Sequence, residues 1–509
     1  MEKILNSKQL QKTDNATIKA KKITSLDLME FASNQCFEWI HNRLQGNPLP
    51  IHIICGTGNN GGDGLVVARM LKKHGYNIKT YVINCDNKRS SEFLTNYERL
   101  KELGDWPIMI NCDSDFPEIS ENDMVIDAIF GIGLNRAPQG LLLEVIQHIN
   151  KSKAYVLSID MPSGLFSDKS VKEKESVVKA FQVLTFETPK LAFLLPENKE
   201  FCLNWDVIPI GLDIEYINKL DSDFFLIEKT DMLSIYKMRD KFSHKGSYGH
   251  SLIIGGSFGK IGAVSLSAKA ALKIGSGLVT AYIPKCGYSI LQSYLPEAMV
   301  EVDSEKELQF FNFKTKPTVI GIGIGMGTSK KTQDGFANFL KQNALPLVID
   351  ADGLNIISKN KDLLELLPQN TVLTPHPKEL ERLLGKWEND FDKLKKIQKF
   401  TKKHPIILIV KGANTIIANQ GKIHFNTTGN PALATAGSGD VLTGIITGLI
   451  AQNYSPFEAS IFGVYLHGLT ADIAMSEQTY ETFIASNIID NLSKAFVNLL
   501  SPPQKNKQA

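Results

Sequence analysis

Three short stretches in the first half of the 509-residue chain hold residues able to do chemistry. The first, "GTGNNGGDG" from Gly56 to Gly64, follows an apolar run, "IHIIC", and leads into a helix-like run, "LVVARMLKKHG". Gly56, Gly58 and Gly61 satisfy G-x-G-x-x-G, a spacing that turns backbone amides toward an anion at a helix N-terminus. A dinucleotide fingerprint has no need of Asn59, Asn60 and Asp63 in the same turn. Amide oxygens and a carboxylate so close together suit a hard cation or a polar substrate. The second stretch, "DAIFGIGLNRAPQG", begins with Asp127, a carboxylate in an apolar strand that is costly unless partnered; beside Asn60 it could share a cation. The third, "SIDMPSGL", ends a strand with Asp160, a general acid or base candidate, followed by Pro162, Ser163 and Gly164.

The second half offers a different chemistry. In "AGSGD" the amides of Gly437, Ser438 and Gly439 open a helix of small and apolar residues and make an anion hole. Asp440 then sits where it can take a proton from a hydroxyl attacking a phosphoryl group. "VVKGANTIIA" sets Lys411, Gly412, Ala413, Asn414 and Thr415 at a strand end, suited to nucleotide phosphates or base. His376 lies between two prolines at another strand end. Asp350 and Asp352 are candidates for organising magnesium or water near a triphosphate. Gly321, Gly323, Gly325 and Gly327 would let a ligand approach the backbone closely. "GGSFGKI" is not a P-loop, because only three residues separate Gly255 from Gly259 and Ile261 stands where Ser or Thr should hold magnesium.

These residues need strands and helices to position them. "IHIIC", "IKTYVI", "DMVIDAIF", "YVLSID" and "QVLTF" read as strands, with helices between them starting near Leu65, Ser91 and Gly140. Such alternation predicts a parallel sheet covered on both faces, with functional loops at the strands' C-terminal ends. After a looser connector the alternation restarts with "HSLIIGG", "GLVTAYIP", "PTVIGIG", "LPLVIDA", "TVLTPH", "PIILIVKG" and "TIIA". Two α/β domains are expected, residues 1–220 and 221–509, without an internal repeat and with "SPPQKNKQA" as a frayed tail.

Hydrophobic content of 43% and charged content of 22% are those of a globular protein. With 56 basic and 54 acidic residues the net charge is +2, so no electrostatic footprint for nucleic acid is present. Six scattered cysteines without C-x-x-C spacing read as reduced thiols. No signal peptide or membrane span is recognisable. Gly444 and Gly448 mimic a membrane dimer motif, for which close packing inside a soluble domain is the expectation. A cytoplasmic protein follows from this reading.

Taken together, "QLQKTDNATI", "GTGNNGGDGLVVAR", "DAIFGIGLNR", "SIDMPSGL" and "VLTFETPKLAFLLPE" resemble the NAD(P)H-hydrate epimerase domain over most of residues 1–212. The resemblance implies a Rossmann-like three-layer sandwich. It assigns substrate contacts to Asn59, Asn60, Gly61, Gly62 and Asp63, to Gly131, Ile132, Gly133, Leu134, Asn135, Arg136 and Ala137, and to Asp160 as acid/base. Asn60, Asp127 and Ser163 would be potassium ligands. Residues 225–500 resemble the NAD(P)H-hydrate dehydratase domain of the ribokinase-like superfamily. There Ala263, Gly325, Gly327, His376 and Asp440 would face the hydrated nucleotide, with Asp440 catalytic, while Lys411 through Thr415 and Gly439 would bind ADP or ATP with magnesium. Lys378, Ala432 and Ser438 depart from the family pattern. The implied protein is a bifunctional isomerase and lyase. It would epimerise R and S NADHX and NADPHX and dehydrate the S form to NADH or NADPH at the expense of ADP or ATP. Its partners would be these small molecules, with no nucleic acid or membrane, in a homo-oligomer. The alternatives are a small-molecule kinase, a nucleotide-sensing protein, and a plain dehydrogenase reading ribose through Asp86.

Overall fold

Continuous apolar runs such as "IHIIC" and "ILIV" bury every residue, as strands covered by helices on both faces must. The structure, a computed structural model, describes residues 1–85 and 88–501. Asp86 and residues 502–509 of the tail lie outside the described residues. The chain divides into two compact units, one of residues 3–222 with 389–391, the other of residues 1–2, 223–388 and the chain from 392.

The first unit opens with α1 (Ser7–Lys21) and α2 (Ser25–Leu44), each begun by a capping box, at Asn6 and Thr24. There follow β1 (Ile51–Cys55), α3 (Asn59–Lys73), β2 (Ile78–Ile83), α4 (Ser91–Lys101), β3 (Ile108–Ile110), β4 (Met124–Ala128), α5 (Leu141–Ser152), β5 (Tyr155–Ile159), β6 (Ala180–Phe186) and β7 (Cys202–Ile208). The strands are all parallel, in the order β3-β2-β1-β4-β5-β6-β7. The order reverses between β1 and β4, so a crevice opens beyond their C-terminal ends, where open α/β sheets bind ligands. Register sets Ile54 beside Asp127 and Asp127 beside Ser158.

One sequence expectation is corrected here. The helix expected near Leu65 begins at Asn59, so "NNGGD" forms its first turns and the loop is reduced to Gly56–Gly58. Asn and Gly are poor helix formers, which hides this start from local propensity. Packing overrides it. A Cβ on Gly61 would lie 1.9 Å from the Gly56 carbonyl oxygen, and one on Gly64 would lie 2.5 Å from the Ala128 Cβ. Only glycine lets α3 start so close to the strand ends.

The second unit holds β8 (Phe224–Leu226), β9 (His250–Ile254), α6 (Ile261–Lys273), β10 (Leu278–Ile283), β11 (Met299–Val302), β12 (Val319–Ile322), β13 (Leu347–Ile349), α7 (Ala351–Lys359), β14 (Val372–Leu373), α8 (Pro377–Leu384), β15 (Ile407–Val410), β16 (Ile416–Asn419), β17 (Lys422–Phe425), α9 (Ser438–Ala451), α10 (Pro456–Ala474) and α11 (Ala485–Leu500). Across the sheet they run β8-β17-β16-β15-β14-β13-β12-β9-β10-β11. The block from β15 to β11 is parallel, and β15, β16 and β17 form an antiparallel meander. The order reverses between β9 and β12. Helix α9 is buried almost throughout and lies against α6, where a Cβ on Gly444 would meet the Ser267 carbonyl oxygen at 2.1 Å. A Cβ on Gly448 would meet Ile274 at 2.4 Å. The glycine pair is therefore a seam between two helices of this unit. Among the described residues, no helix is long and apolar enough to cross a membrane.

Candidate active sites

In the first unit a cavity of about 690 Å³ opens at the switch point. Its wall includes Asn59, Asn60 and Asp63 from the start of α3, the whole Gly131–Ala137 loop after β4, and Asp160 after β5. Gly61 and Gly62 are not on that wall. Gly61 abuts the Gly56 carbonyl and Gly62 the Met29 side chain, so they act by allowing close approach. Asp127 and Ser163 also lie outside the wall, fully buried.

Asp127 accepts hydrogen bonds from Ser163 Oγ (2.5 Å), Ser158 Oγ (2.7 Å) and the Ser163 amide (2.9 Å). Burial nonetheless pushes its carboxyl above the usual range. Ser163 Oγ in turn accepts from the Phe130 amide at 2.9 Å, tying the second and third loops together. Asn60 is different: both polar atoms of its side chain are buried without a hydrogen-bond partner. An orphaned amide in a site this polar asks for a ligand.

Asp160 stands in the left-handed region (φ 67°), a conformation an aspartate holds only where its surroundings over-determine it. Its amide donates to the Leu184 carbonyl at 2.7 Å, and its Oδ2 accepts from the Ile132 amide at 3.0 Å. Gly131 is required beside it, because a Cβ there would lie 2.8 Å from Oδ2. Its Oδ1 lies 3.4 Å from the ammonium of Lys190, which is buried and donates to Thr185 Oγ1, Phe186 O and Thr188 O. Lys190 and Asp14 line the same cavity. Neither was marked by sequence reasoning, although a lysine within "TPKLAFLL" has no surface pattern around it. Burial and the neighbouring Asp160 raise the Asp14 carboxyl to about 6, against the pull of Lys190. Burial also holds Asp63 well above the carboxylate range, opposed by a 2.9 Å hydrogen bond from Ser33.

In the second unit the marked residues converge on the C-terminal ends of β9, β12, β13, β14 and β15. Asp350, which ends β13, is 2% exposed and fully engaged. Its Oδ1 accepts from Lys411 Nζ and the Ala351 amide, both at 2.8 Å, and its Oδ2 from Thr443 Oγ1 at 3.0 Å. Lys411 ends β15, and Gly412–Thr415 complete the five-residue turn into β16, closed by Thr415 Oγ1 on the Gly412 carbonyl at 3.0 Å. Gly439 lies over this ion pair, since a Cβ there would approach Lys411 Nζ to 2.9 Å. Gly437 caps α9 at φ 86° with no side-chain cap, leaving the helix N-terminus to a ligand. Burial, Asp350 and Asp352 raise Asp440 to about 6, with Lys411 pulling the other way.

Gly325 (φ 58°) packs on α6, where its Cβ would lie 3.2 Å from that of Ala263. The Gly327 amide donates to Asp352 Oδ2 at 2.9 Å, and Lys260 Nζ lies 3.7 Å from the same oxygen. His376 is the N-cap of α8, its Nδ1 accepting from the Lys378 amide at 3.1 Å. Burial and the charge of Lys411 lower its pKa. Lys378 is exposed on the same turn. Ser438 Oγ lies 3.3 Å from Nε2 of buried His467, itself pushed down to about 4 by burial. Ala432 is buried after the Asn430 cap. Thr443, Lys260 and His467 are the additions here. Nothing in their local sequence separates them from ordinary helix residues.

Residues 25–192 match a family model described as YjeF-related protein N-terminus, and residues 251–494 match one described as NAD(P)H-hydrate dehydratase. The bifunctional NAD(P)H-hydrate repair enzyme of Moorella thermoacetica is 35% identical over 495 residues, covering 94% of this chain and 93% of that protein. The enzyme of the same name from Escherichia coli is 30% identical, covering 87% and 84%. A crystal structure of the ADP/ATP-dependent NAD(P)H-hydrate dehydratase of Bacillus subtilis, co-crystallised with ATP and magnesium, is 26% identical with a TM-score of 0.48, covering 54% of this chain and 98% of that one. With two family models in sequence order and relatives matched along nearly their whole length, the chain belongs to the bifunctional NAD(P)H-hydrate repair enzymes.

Proposed function

We propose that the first unit interconverts the R and S hydrates of NADH and NADPH and that the second dehydrates the S hydrate at the expense of ADP or ATP. The observation that supports this division best is chemical. One chain carries two unlike sites, an aspartate beside a buried lysine in a cavity of about 690 Å³ and an aspartate at an uncapped helix N-terminus near the Lys411–Asp350 ion pair.

In the first unit, Asn59, Asn60, Asp63 and the Gly131–Ala137 loop hold the hydrated dinucleotide, and Asp160 moves the proton of its ring hydroxyl. Asn60, Asp127 and Ser163 supply the hard oxygen donors that a potassium ion takes, and the partnerless Asn60 amide fits that use. A bound potassium would neutralise carboxylate charge beneath the cavity.

In the second unit, Ala263, Gly325, Gly327 and His376 face the hydrate. Lys411–Thr415 and Gly439 receive the adenine nucleotide. Hydroxide is a poor leaving group, so the hydrate's hydroxyl oxygen attacks the terminal phosphoryl group while Asp440 removes its proton, and the terminal P–O bond breaks to release AMP from ADP or ADP from ATP. The amides of Gly437, Ser438 and Gly439 face the charge on the transferred group. The ring nitrogen's lone pair then expels phosphate, and loss of a ring proton restores the reduced nicotinamide. Magnesium fits this site only in company with the nucleotide. Asp350, which accepts hydrogen bonds from Lys411, Ala351 and Thr443, and its neighbour Asp352 are the carboxylates that would organise magnesium or water near the nucleotide's phosphates. Among the described residues, no group of three or more His, Cys, Asp or Glu side chains is placed to hold a metal ion by itself.

Mixed R and S NADHX supplied with ADP, and separately with ATP, tests the proposal. NADH recovery followed by absorbance and chromatography reaches the whole of both epimers, with one phosphate released per NADH. Recovery of only the S fraction would remove the epimerase assignment, and NADH without stoichiometric phosphate would remove the phosphoryl route.

A further inference from the structure

The epimerase cavity holds a second carboxyl that no assignment uses. Asp14 projects from α1 into the same space as Asp160 and interacts with it electrostatically. The two are held differently. Asp160 receives the Ile132 amide and faces the Lys190 ammonium, the surroundings of a proton acceptor. Asp14 receives no hydrogen-bond donor from any described residue; its charged neighbours besides Asp160 are the Lys190 ammonium, whose pull burial and Asp160 outweigh, and the carboxyls of Glu187 and Asp63. Glu187 is turned to the Ile210 and Leu212 amides (2.9 and 3.2 Å), and Asp63 to Ser33, so neither relieves Asp14.

Resting on the epimerase reading above, we propose that Asp14 is a second catalytic residue, the proton donor that works opposite Asp160. Epimerisation at the hydroxyl-bearing carbon of a ring hemiaminal needs one group to take a proton and another to give one. Asp160 takes the hydroxyl proton, the O–H electron pair becomes the second bond of a carbonyl, and the carbon–nitrogen bond breaks. Its electron pair goes to the ring nitrogen, which receives the proton of Asp14. Rotation about the adjoining carbon–carbon bond presents the other face of the carbonyl. The nitrogen re-attacks and returns its proton to Asp14, while Asp160 returns its proton to the oxygen. Both carboxyls finish as they began, and no oxidant or second substrate is consumed. Lys190 is a positioning residue in this scheme, fixing Asp160 between three acceptors of its own.

Burial and Asp160 place the Asp14 carboxyl at about 6, so its acid form is lost as pH rises through that value. Wild-type epimer exchange is therefore expected to fall above about pH 6. The experiment measures R/S exchange by NMR in the full chain without ADP or ATP, for wild type, Asp14→Asn and Asp14→Glu. Asp14→Asn is expected to lose at least about 100-fold in kcat, the span of a general acid, with KM within about threefold. Asp14→Glu retains exchange and moves the pH limb. Dehydration of the S hydrate by the same variants stays at the wild-type level, and a wild-type melting temperature excludes unfolding. Asp14→Asn exchanging within threefold of wild type, or altering only KM, would overturn the inference. Should Asp14→Asn unfold, a flat wild-type pH profile between 5 and 8 would overturn it, and a falling limb shifted in Asp14→Glu would sustain it. Wild type that exchanges no epimers would instead remove the underlying epimerase reading.

Discussion

Asp160 and Asp440 are both aspartates at the mouth of a parallel sheet, yet their surroundings give them different work. Asp160 is pinned in a left-handed backbone by Leu184, Ile132 and Lys190, so its carboxylate cannot swing. Asp440 sits in the first turn of α9, raised to about 6 by burial and by Asp350 and Asp352. As the proposed base it would act in its ionised form, so the dehydration rate is expected to rise with pH through about 6 and level off above it. This is the opposite slope from epimer exchange, and pH profiles of the two activities on one preparation check it. Asp440→Asn removes the acceptor and is expected to lower dehydration by about 100-fold or more, leaving epimer exchange intact. Asp160→Asn does the reverse. Of these groups, Asp160 and Asp440 were legible in the sequence because each ends a strand or opens a helix beside glycines. Asp14 and Lys190 were not, because the cavity gathers them from α1 and from the segment after β6, and no local spacing records that meeting.

The elements explain why the glycines sit where they do. α3 begins six residues earlier than its hydrophobic pattern suggests, since its first turns pack through Gly61 and Gly64 instead of large side chains. Gly61→Ala would drive a methyl group to 1.9 Å from the Gly56 carbonyl oxygen. It is expected to destabilise the first unit by about 3 kcal/mol and to abolish epimer exchange, while dehydration persists. Chemical denaturation followed alongside the two assays checks this. Most strands were legible from apolar runs and their turns. β3, β7, β8, β11 and β17 were not: they are short or lie toward a sheet edge, where burial is incomplete and the apolar signal fades. The Gly444 and Gly448 pair was legible as a packing seam, but its partner helix was visible only in three dimensions.

At the scale of the whole molecule, two complete α/β units occupy one chain, each with its own switch point and its own cluster of functional loops. Their chemistry is sequential. On the proposed assignment only the S hydrate is consumed in the second reaction, so the first makes the R hydrate available to it. The most direct measurement starts from the R hydrate of NADH with ADP or ATP and compares Asp160→Asn chains, Asp440→Asn chains and a mixture of the two. Each variant alone is expected to yield NADH no faster than uncatalysed epimer exchange permits, or none at all, and the mixture to restore formation near the wild-type rate. A mixture no better than its components, or either variant losing both activities together, would contradict the division of labour between the two sites.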